Sequence, residues 1–201
     1  MAKQYFDTPD CASDKRLAEI GCLGVSVKAY TDNGVFSKGE LDEGSETLLN
    51  ALPPIFGAAL DLGCGWGAVG LILKKKYPEI ELVMTDVNER ALELSRENLA
   101  LNKLCAEVIS SDGYSALEDR LFQFIITNPP IRAGKQVVYR FFSEAREHLA
   151  DKGKLYIVIR KQQGAESALR YLKELYETAE KIDNHKGFWV IECSGAKQSE
   201  M

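Results

Sequence analysis

The run Asp61-Leu62-Gly63-Cys64-Gly65-Trp66-Gly67 stands where an apolar strand pattern gives way to a helical one. Glycine at such a turn admits positive φ and lets a ligand approach the backbone, while the helix start offers unpaired N–H groups. Asp86, nineteen residues after Gly67, closes the next apolar run, where its carboxylate could take both hydroxyls of a ribose. Asp112 closes the run after that. Gly65-x-Gly67-x-x-Gly70 also satisfies the dinucleotide fingerprint, with Asp86 at about the expected spacing of roughly 20 residues. A tight turn with no ligand is the bland reading, and two acidic strand ends weigh against it. Asp61 separates the ligands: a carboxylate facing the turn suits a cationic sulfonium better than a pyrophosphate. The expected cofactor is S-adenosylmethionine.

A fourth apolar run, 122–127, leads straight into Asn128-Pro129-Pro130-Ile131. Two prolines could serve only to break a strand, but the asparagine falls on the same expected rim as the glycine turn. Its side-chain oxygen and a proline carbonyl are two acceptors that a stiff turn can aim at one NH₂ group. An exocyclic amine on a base is a weak nucleophile because its lone pair is delocalised into the ring. Accepting its hydrogens localises that pair and directs it at an electrophilic methyl, so orientation and hydrogen bonding carry the catalysis. Asn128, Pro129 and Pro130 are the expected catalytic residues, and no histidine or cysteine base is required. The chemistry suits any planar amine: guanine, adenine or a protein glutamine. A nicotinamide (NAD) oxidoreductase is the competing enzyme class. It accounts for residues 65–70 and Asp86 but leaves Asn128-Pro129-Pro130 idle. A non-catalytic RNA-binding module leaves the whole glycine constellation idle.

These residues share a rim only if the elements carrying them line up. From residue 58 onward, apolar runs at 58–63, 81–87, 106–112, 122–128 and 154–161 alternate with helical patterns at 67–77, 89–101, 136–149 and 165–176. That is the βαβ rhythm of a mostly parallel sheet with helices on both faces. In such sheets the carboxyl ends of the strands form the ligand crevice. The runs 181–185 and 188–193 are joined only by Lys186-Gly187, so they pair antiparallel and the sheet ends on a reversed strand. Ahead of the core, 17–20 and 25–30 flank Gly21-Cys22-Leu23-Gly24 as a hairpin, a glycine-punctuated loop spans 32–44, and a helix covers 45–52. Residues 1–44 are expected to cap the domain formed by 45–201.

The 201 residues carry a net charge of -5, which argues against a protein that coats nucleic acid by charge alone. Ten of the basic residues nevertheless fall between Asn128 and Lys173, against four acidic ones, so a local basic face is expected there. Arg160 and Lys161 would lie on the functional rim. The longest charge-free stretch, 47–60, is broken by Pro53-Pro54, so no membrane span is expected. The first residues show no secretory signal, and the expected location is cytoplasmic. Five scattered cysteines without a CxxC pair fit buried thiols better than a disulfide framework or metal site, and no metal is expected. His148 and His185 read as solvated. Trp66 reads equally as packing on a cofactor or covering the first core helix.

The motifs DLGCGWG and NPPI, with acidic strand ends between them, resemble the class I S-adenosylmethionine-dependent methyltransferases. TDNGVFSKGELDEG (31–44), TDVNERALELSRENLALN (85–102) and NPPIRAGK (128–135) are similar, more narrowly, to the small-subunit (16S) ribosomal RNA guanine methyltransferases. The resemblance implies an α/β, Rossmann-like fold with a seven-stranded sheet, mostly parallel with an antiparallel last strand, plus a small N-terminal hairpin cap. It implies methylation of the 2-amino group of a guanine, with ribosomal RNA or the small subunit as partner. Asp61, Gly63, Cys64, Gly65 and Gly67 would line the methionine end of the cofactor. Asp86 would hold the ribose with Val87 beside the adenine, and Asp112 with Gly113 would reach the adenine amine. Asn128 would stand between cofactor and target base, with Pro129, Pro130 and Ile131 facing the base. Arg132 and Lys135 would meet RNA phosphates, and Phe36 to Gly44 would fold over the site. Two departures from the family pattern are Ile131, where many relatives carry an aromatic residue, and the single-domain form.

Overall fold

A computed structural model describes residues 12–33, 35, 37 and 39–197. Two strands, β1 (Arg16–Cys22) and β2 (Val25–Thr31), pair antiparallel around Leu23-Gly24. Both turn residues have positive φ, 54° and 75°, which gives the two-residue turn a twist that matches the strands. Helix α1 (Glu43–Ala51) follows, starting two residues earlier than the sequence pattern suggests. The reason is Asp42, whose carboxylate caps the helix by accepting the Gly44 and Ser45 N–H groups.

The core then alternates β3 (Ala58–Leu62), α2 (Ala68–Lys76), β4 (Glu81–Asp86), α3 (Glu89–Leu101), β5 (Glu107–Ser110), β6 (Phe122–Thr127), α4 (Lys135–Glu144), β7 (Leu149–Arg160) and α5 (Ala165–Leu175). It ends in β8 (Tyr176–His185) and β9 (Phe188–Ala196). The sheet order is β5-β4-β3-β6-β7-β9-β8. Pairs from β5 through β7 are parallel, and β9 runs antiparallel to both β7 and β8. The expected fold class holds, including the reversed last strand, but that strand inserts between β7 and β8 instead of lying at the edge.

Strand alternation divides the core in two. Ala59, Phe124, Ile126 and Tyr156 face a layer containing Leu48, Leu71, Ile72, Leu92 and the hairpin residues Val27 and Ala29. Leu60, Leu62, Ile125 and Ile157 face the layer of Phe142, Ala168 and Leu172. Helices therefore cover both faces. Helix α2 buries Val69 through Leu73 and stops at Pro78, whose ring cannot supply a helical N–H. Its last turn, Lys74-Lys75-Lys76, places positive charge at the carbonyl end.

Several boundaries differ from the sequence pattern. Helix α4 ends at Glu144 and passes through a 3₁₀ turn, and β7 begins at Leu149, which pairs with Phe122 across a register shift. Helix α5 runs directly into β8, five residues ahead of the expected strand start, because Tyr176 is buried and donates its hydroxyl to the Phe142 carbonyl at 2.8 Å. His148 is not solvated. It is 8% exposed, stacks on Tyr114 and shares a 2.9 Å hydrogen bond between Nδ1 and the Arg120 carbonyl. Among the described residues, no helix is long and apolar enough to cross a membrane, and no cluster of histidine, cysteine or carboxylate groups is placed to hold a metal ion.

Candidate active site

Strands β3 and β6 are parallel neighbours, with Leu62 paired to Thr127 and the Thr127 hydroxyl donating to the Leu62 carbonyl at 2.8 Å. The next residue on each strand is Gly63 and Asn128. The glycine turn and the proline turn thus leave adjacent strands at the same sheet end, where connections depart to opposite sides. This is the switch point at which open α/β sheets form their crevice.

The glycine turn is held by the neighbouring strand. The N–H groups of Gly63 and Cys64 both donate to the Thr85 carbonyl at 2.8 Å, and Gly65 N–H donates to Asp86 Oδ2 at 2.8 Å. Gly63, Gly65 and Gly67 have φ of 74°, 56° and 94°, values that L side chains rarely adopt. Beyond φ, the glycines divide. A Cβ on Gly63 or Gly65 would meet open space, whereas one on Gly67 would sit 2.9 Å from Met84 and 3.0 Å from Ser95. The first two leave room for a ligand against the backbone; the third lets α2 pack closely.

Asp61 stands one residue before the end of β3. Its carboxylate is 3% exposed, and Oδ2 accepts the Gly70 N–H in the first turn of α2 at 2.8 Å, so it braces helix against strand. Burial pushes its pKa up to about 7, with Asp86 adding to the rise and the Gly70 N–H opposing it. Asp86 closes β4 as expected. Its oxygens accept backbone N–H groups, Oδ2 from Gly65 and Oδ1 from Asn88 at 2.9 Å, and the Val87 N–H adds to them, so part of the carboxylate's acceptor capacity remains. Burial raises its pKa against those bonds. Val87 follows it, half-buried. Cys64 is buried, and burial holds its thiol well above the usual range, which keeps it a packing residue.

Asp112 does not end a strand. Strand β5 stops at Ser110, and Asp112 lies exposed two residues on, ion-paired to Arg140 of α4. Gly113 beside it is buried with φ of 62°, and a Cβ there would crowd Phe141 and Glu144 at 3.3 Å.

Asn128 is half-buried at the end of β6. Its Nδ2 donates to Asp42 Oδ1 and Ser45 Oγ, both at 3.2 Å. A carboxylate can only accept, so the amide nitrogen must face Asp42, and among the described residues Oδ1 is left as the free acceptor. Pro129 is buried, and its carbonyl accepts the Ile131 N–H at 2.8 Å in a tight turn about Pro130, so one lone pair remains. Ile131 is half-buried, while Arg132 and Lys135 are exposed, with Lys135 Nζ 4.7 Å from the centre of the Tyr139 ring. Phe36 lies outside the described residues.

Asp42 falls within the segment 36–44 expected to fold over the site, but neither it nor Ser45 is expected from the sequence to touch Asn128, although an aspartate before a helical run is a capping signal. Sequence patterns also miss Asn98. Fully buried on α3, it accepts the Tyr30 N–H at 2.6 Å and donates to the Tyr30 and Trp66 carbonyls at 3.0 Å. One amide thus joins the hairpin to the glycine turn. Trp66 is 2% exposed within the hairpin-side core, and its indole donates to the Ser37 carbonyl at 3.2 Å. Of the two roles open to it, the covering role is the one its burial supports.

Residues 26–192 match the methyltransferase small domain family. An uncharacterized protein of Bacillus subtilis, YbxB, is 39% identical over 198 residues, covering 96% of this chain and 98% of that protein. The ribosomal RNA small subunit methyltransferase C of Aeromonas hydrophila is 41% identical over 164 residues, 78% of this chain but 46% of that protein. A solved 16S rRNA N2 methyltransferase of T. thermophilus, in complex with AdoMet and guanosine, superposes with a TM-score of 0.83 at 27% identity. That match covers 93% of this chain and 52% of the other. The chain spans about half the length of the methyltransferase C relatives it matches. Family membership decides between methyl transfer and nicotinamide chemistry: the chain belongs to the methyltransferase small domain family.

Proposed function

We propose that this chain transfers a methyl group from S-adenosylmethionine to the exocyclic 2-amino group of a guanine in 16S ribosomal RNA. The observation that carries the reading is the free Oδ1 of Asn128, one residue beyond the pairing of Leu62 with Thr127 and therefore beside the glycine turn. The relatives named for small-subunit rRNA and the guanosine-bound structure support guanine over adenine or glutamine.

The residues fit the cofactor. Gly63 and Gly65 leave the backbone open, Asp86 retains acceptor capacity for ribose hydroxyls, and buried Asp61 supplies negative potential near a cation. When bound, S-adenosylmethionine supplies an electrophilic sulfonium methyl. Asn128 Oδ1 and the remaining lone pair of Pro129 accept the hydrogens of the target amine and turn its lone pair out of conjugation. Asp42 and Ser45 hold the Asn128 amide in that orientation. The amine proton released on N–C bond formation passes to solvent water; the Cys64 thiol, held protonated by burial, does not take it. Arg132 and Lys135 stand exposed beyond the proline turn to meet phosphates.

Incubation with methyl-labelled cofactor and undermethylated small subunits, followed by nucleoside analysis, tests this. N2-methylguanosine is the expected product. Label in methyladenosine or in protein would overturn the substrate, and cofactor binding without transfer to any RNA or protein would overturn the reaction.

A further inference from the structure

Beyond the proline turn, α4 and α5 part to leave a cavity of about 190 Å³. Ile131, Val138 and Tyr139 form one wall, and Ile159, Gln163 and Ala168 form the other. Neither Asn128 nor any residue of the 63–67 turn lines it. The methylated base is assigned to the acceptors of Asn128 and Pro129, which leaves this cavity for another part of the substrate. Its wall is continuous with the active site through Ile131.

The aromatic floor is already built as a stacking platform. Tyr139 stacks on Tyr171 with ring centres 4.4 Å apart and planes 18° apart. Lys135 Nζ also lies over the Tyr139 ring, 4.7 Å from its centre. An exposed ammonium over a tyrosine is a weak partner, and a stacked base is a stronger one. Gln163, exposed at the rim, offers an acceptor and two donors to a base edge. The surroundings favour a polyanion: Arg132 and Lys135 stand on the α4 side and Lys161 and Arg170 on the α5 side, with Lys161 partly offset by Glu166 at 3.7 Å.

We infer that this cavity receives a nucleobase flanking the methylated guanine in the RNA strand. The base stacks on Tyr139 in place of Lys135, and the displaced ammonium moves to the adjoining phosphate. This rests on the reading that the substrate is RNA. It supplies next to Ile131 the aromatic surface that Ile131 itself lacks.

The test uses the full chain and a small-subunit rRNA fragment containing the guanosine mapped by product analysis. Tyr139→Ala should raise the RNA KM about 10-fold, the scale of one lost base–aromatic stack, and leave cofactor affinity unchanged. Tyr139→Phe should behave as the parent, which separates stacking from hydroxyl chemistry. An abasic residue at the flanking position should cost the parent enzyme a similar factor and cost Tyr139→Ala little more, because both changes remove the same contact. Independent, multiplying losses would overturn the proposal. If Tyr139→Ala unfolds, a photoreactive uridine at each flank of the parent's RNA decides instead: crosslinking to Tyr139 supports the site, and crosslinking elsewhere only refutes it. Absence of methylation of any RNA by the parent overturns the functional reading itself, an outcome distinct from methylation that is indifferent to the flank.

Discussion

Asn128 gives its side-chain NH₂ to Asp42 at 3.2 Å, across 86 residues of sequence, and Asp42 is also the N-terminal cap of α1. One carboxylate therefore sets both the start of α1 and the orientation of the amide proposed to work on the substrate. Asp42→Ser should keep the cap but fall short of Asn128. Turnover is then expected to drop by up to about 100-fold with little change in melting temperature, since small misplacements of a reacting group carry costs of that order. Asp42→Asn keeps an acceptor and should retain most activity. Steady-state kinetics beside thermal melts will show whether the two variants divide in this way.

Asn128→Ala removes the free acceptor without touching the glycine turn. Methyl transfer should fall by about 100-fold or more, while cofactor affinity measured by calorimetry stays near that of the parent. Full activity in this variant would reject the mechanism.

Asp86→Asn is not a conservative change here. The carboxylate accepts N–H groups from both Gly65 and Asn88, and an amide has one acceptor to offer. One backbone donor is left facing another donor, a loss of about 1–3 kcal/mol. Both the melting temperature and cofactor affinity should decline, as read by calorimetry.

Gly63→Ala and Gly67→Ala should fail differently. The first meets open space and carries only the backbone strain of a left-handed alanine, about 1–2 kcal/mol, but it fills the ligand side of the turn. It should fold and bind cofactor poorly. The second drives a methyl into Met84 and Ser95 and should unfold at markedly lower temperature. Melts with and without cofactor separate the two.

The pH dependence follows from Asp61. Its folded carboxyl holds a proton up to about 7, whereas the ordinary value is 3.8. Between those values the folded state binds more protons than the unfolded chain, so this group's contribution to stability declines as pH rises and levels off above the upper value. A cationic cofactor favours the ionised form, so its affinity should rise over the same window. Asp61→Asn should flatten both trends in melts and titrations on either side of pH 7.

Much of this is legible in the amino-acid sequence. The alternation of apolar runs and helical patterns from Ala58 onward determined the layered α/β fold, because strand and helix periodicities are local properties of the chain. Gly63, Gly65 and Gly67 declared a turn that other residues enter only with strain, and Lys186-Gly187 declared a reversal too tight for a parallel crossover. Asn128-Pro129-Pro130 announced a rigid acceptor at a strand end.

Other features depend on pairings that no local pattern encodes. The sequence places Asp61 beside the turn, but only packing against α2 spends one of its oxygens on Gly70 and buries it. The apolar run predicts Asp112 at a strand end, but β5 stops at Ser110 and Asp112 pairs with Arg140, 28 residues away. The last strand's place between β7 and β8, and the grip of Asp42 and Asn98 on the site, arise from contacts between distant segments. Periodicity and glycine φ act within a few residues and can be read along the chain. Hydrogen-bond partners and burial are decided by which segments the fold brings together, and only the tertiary structure holds that choice.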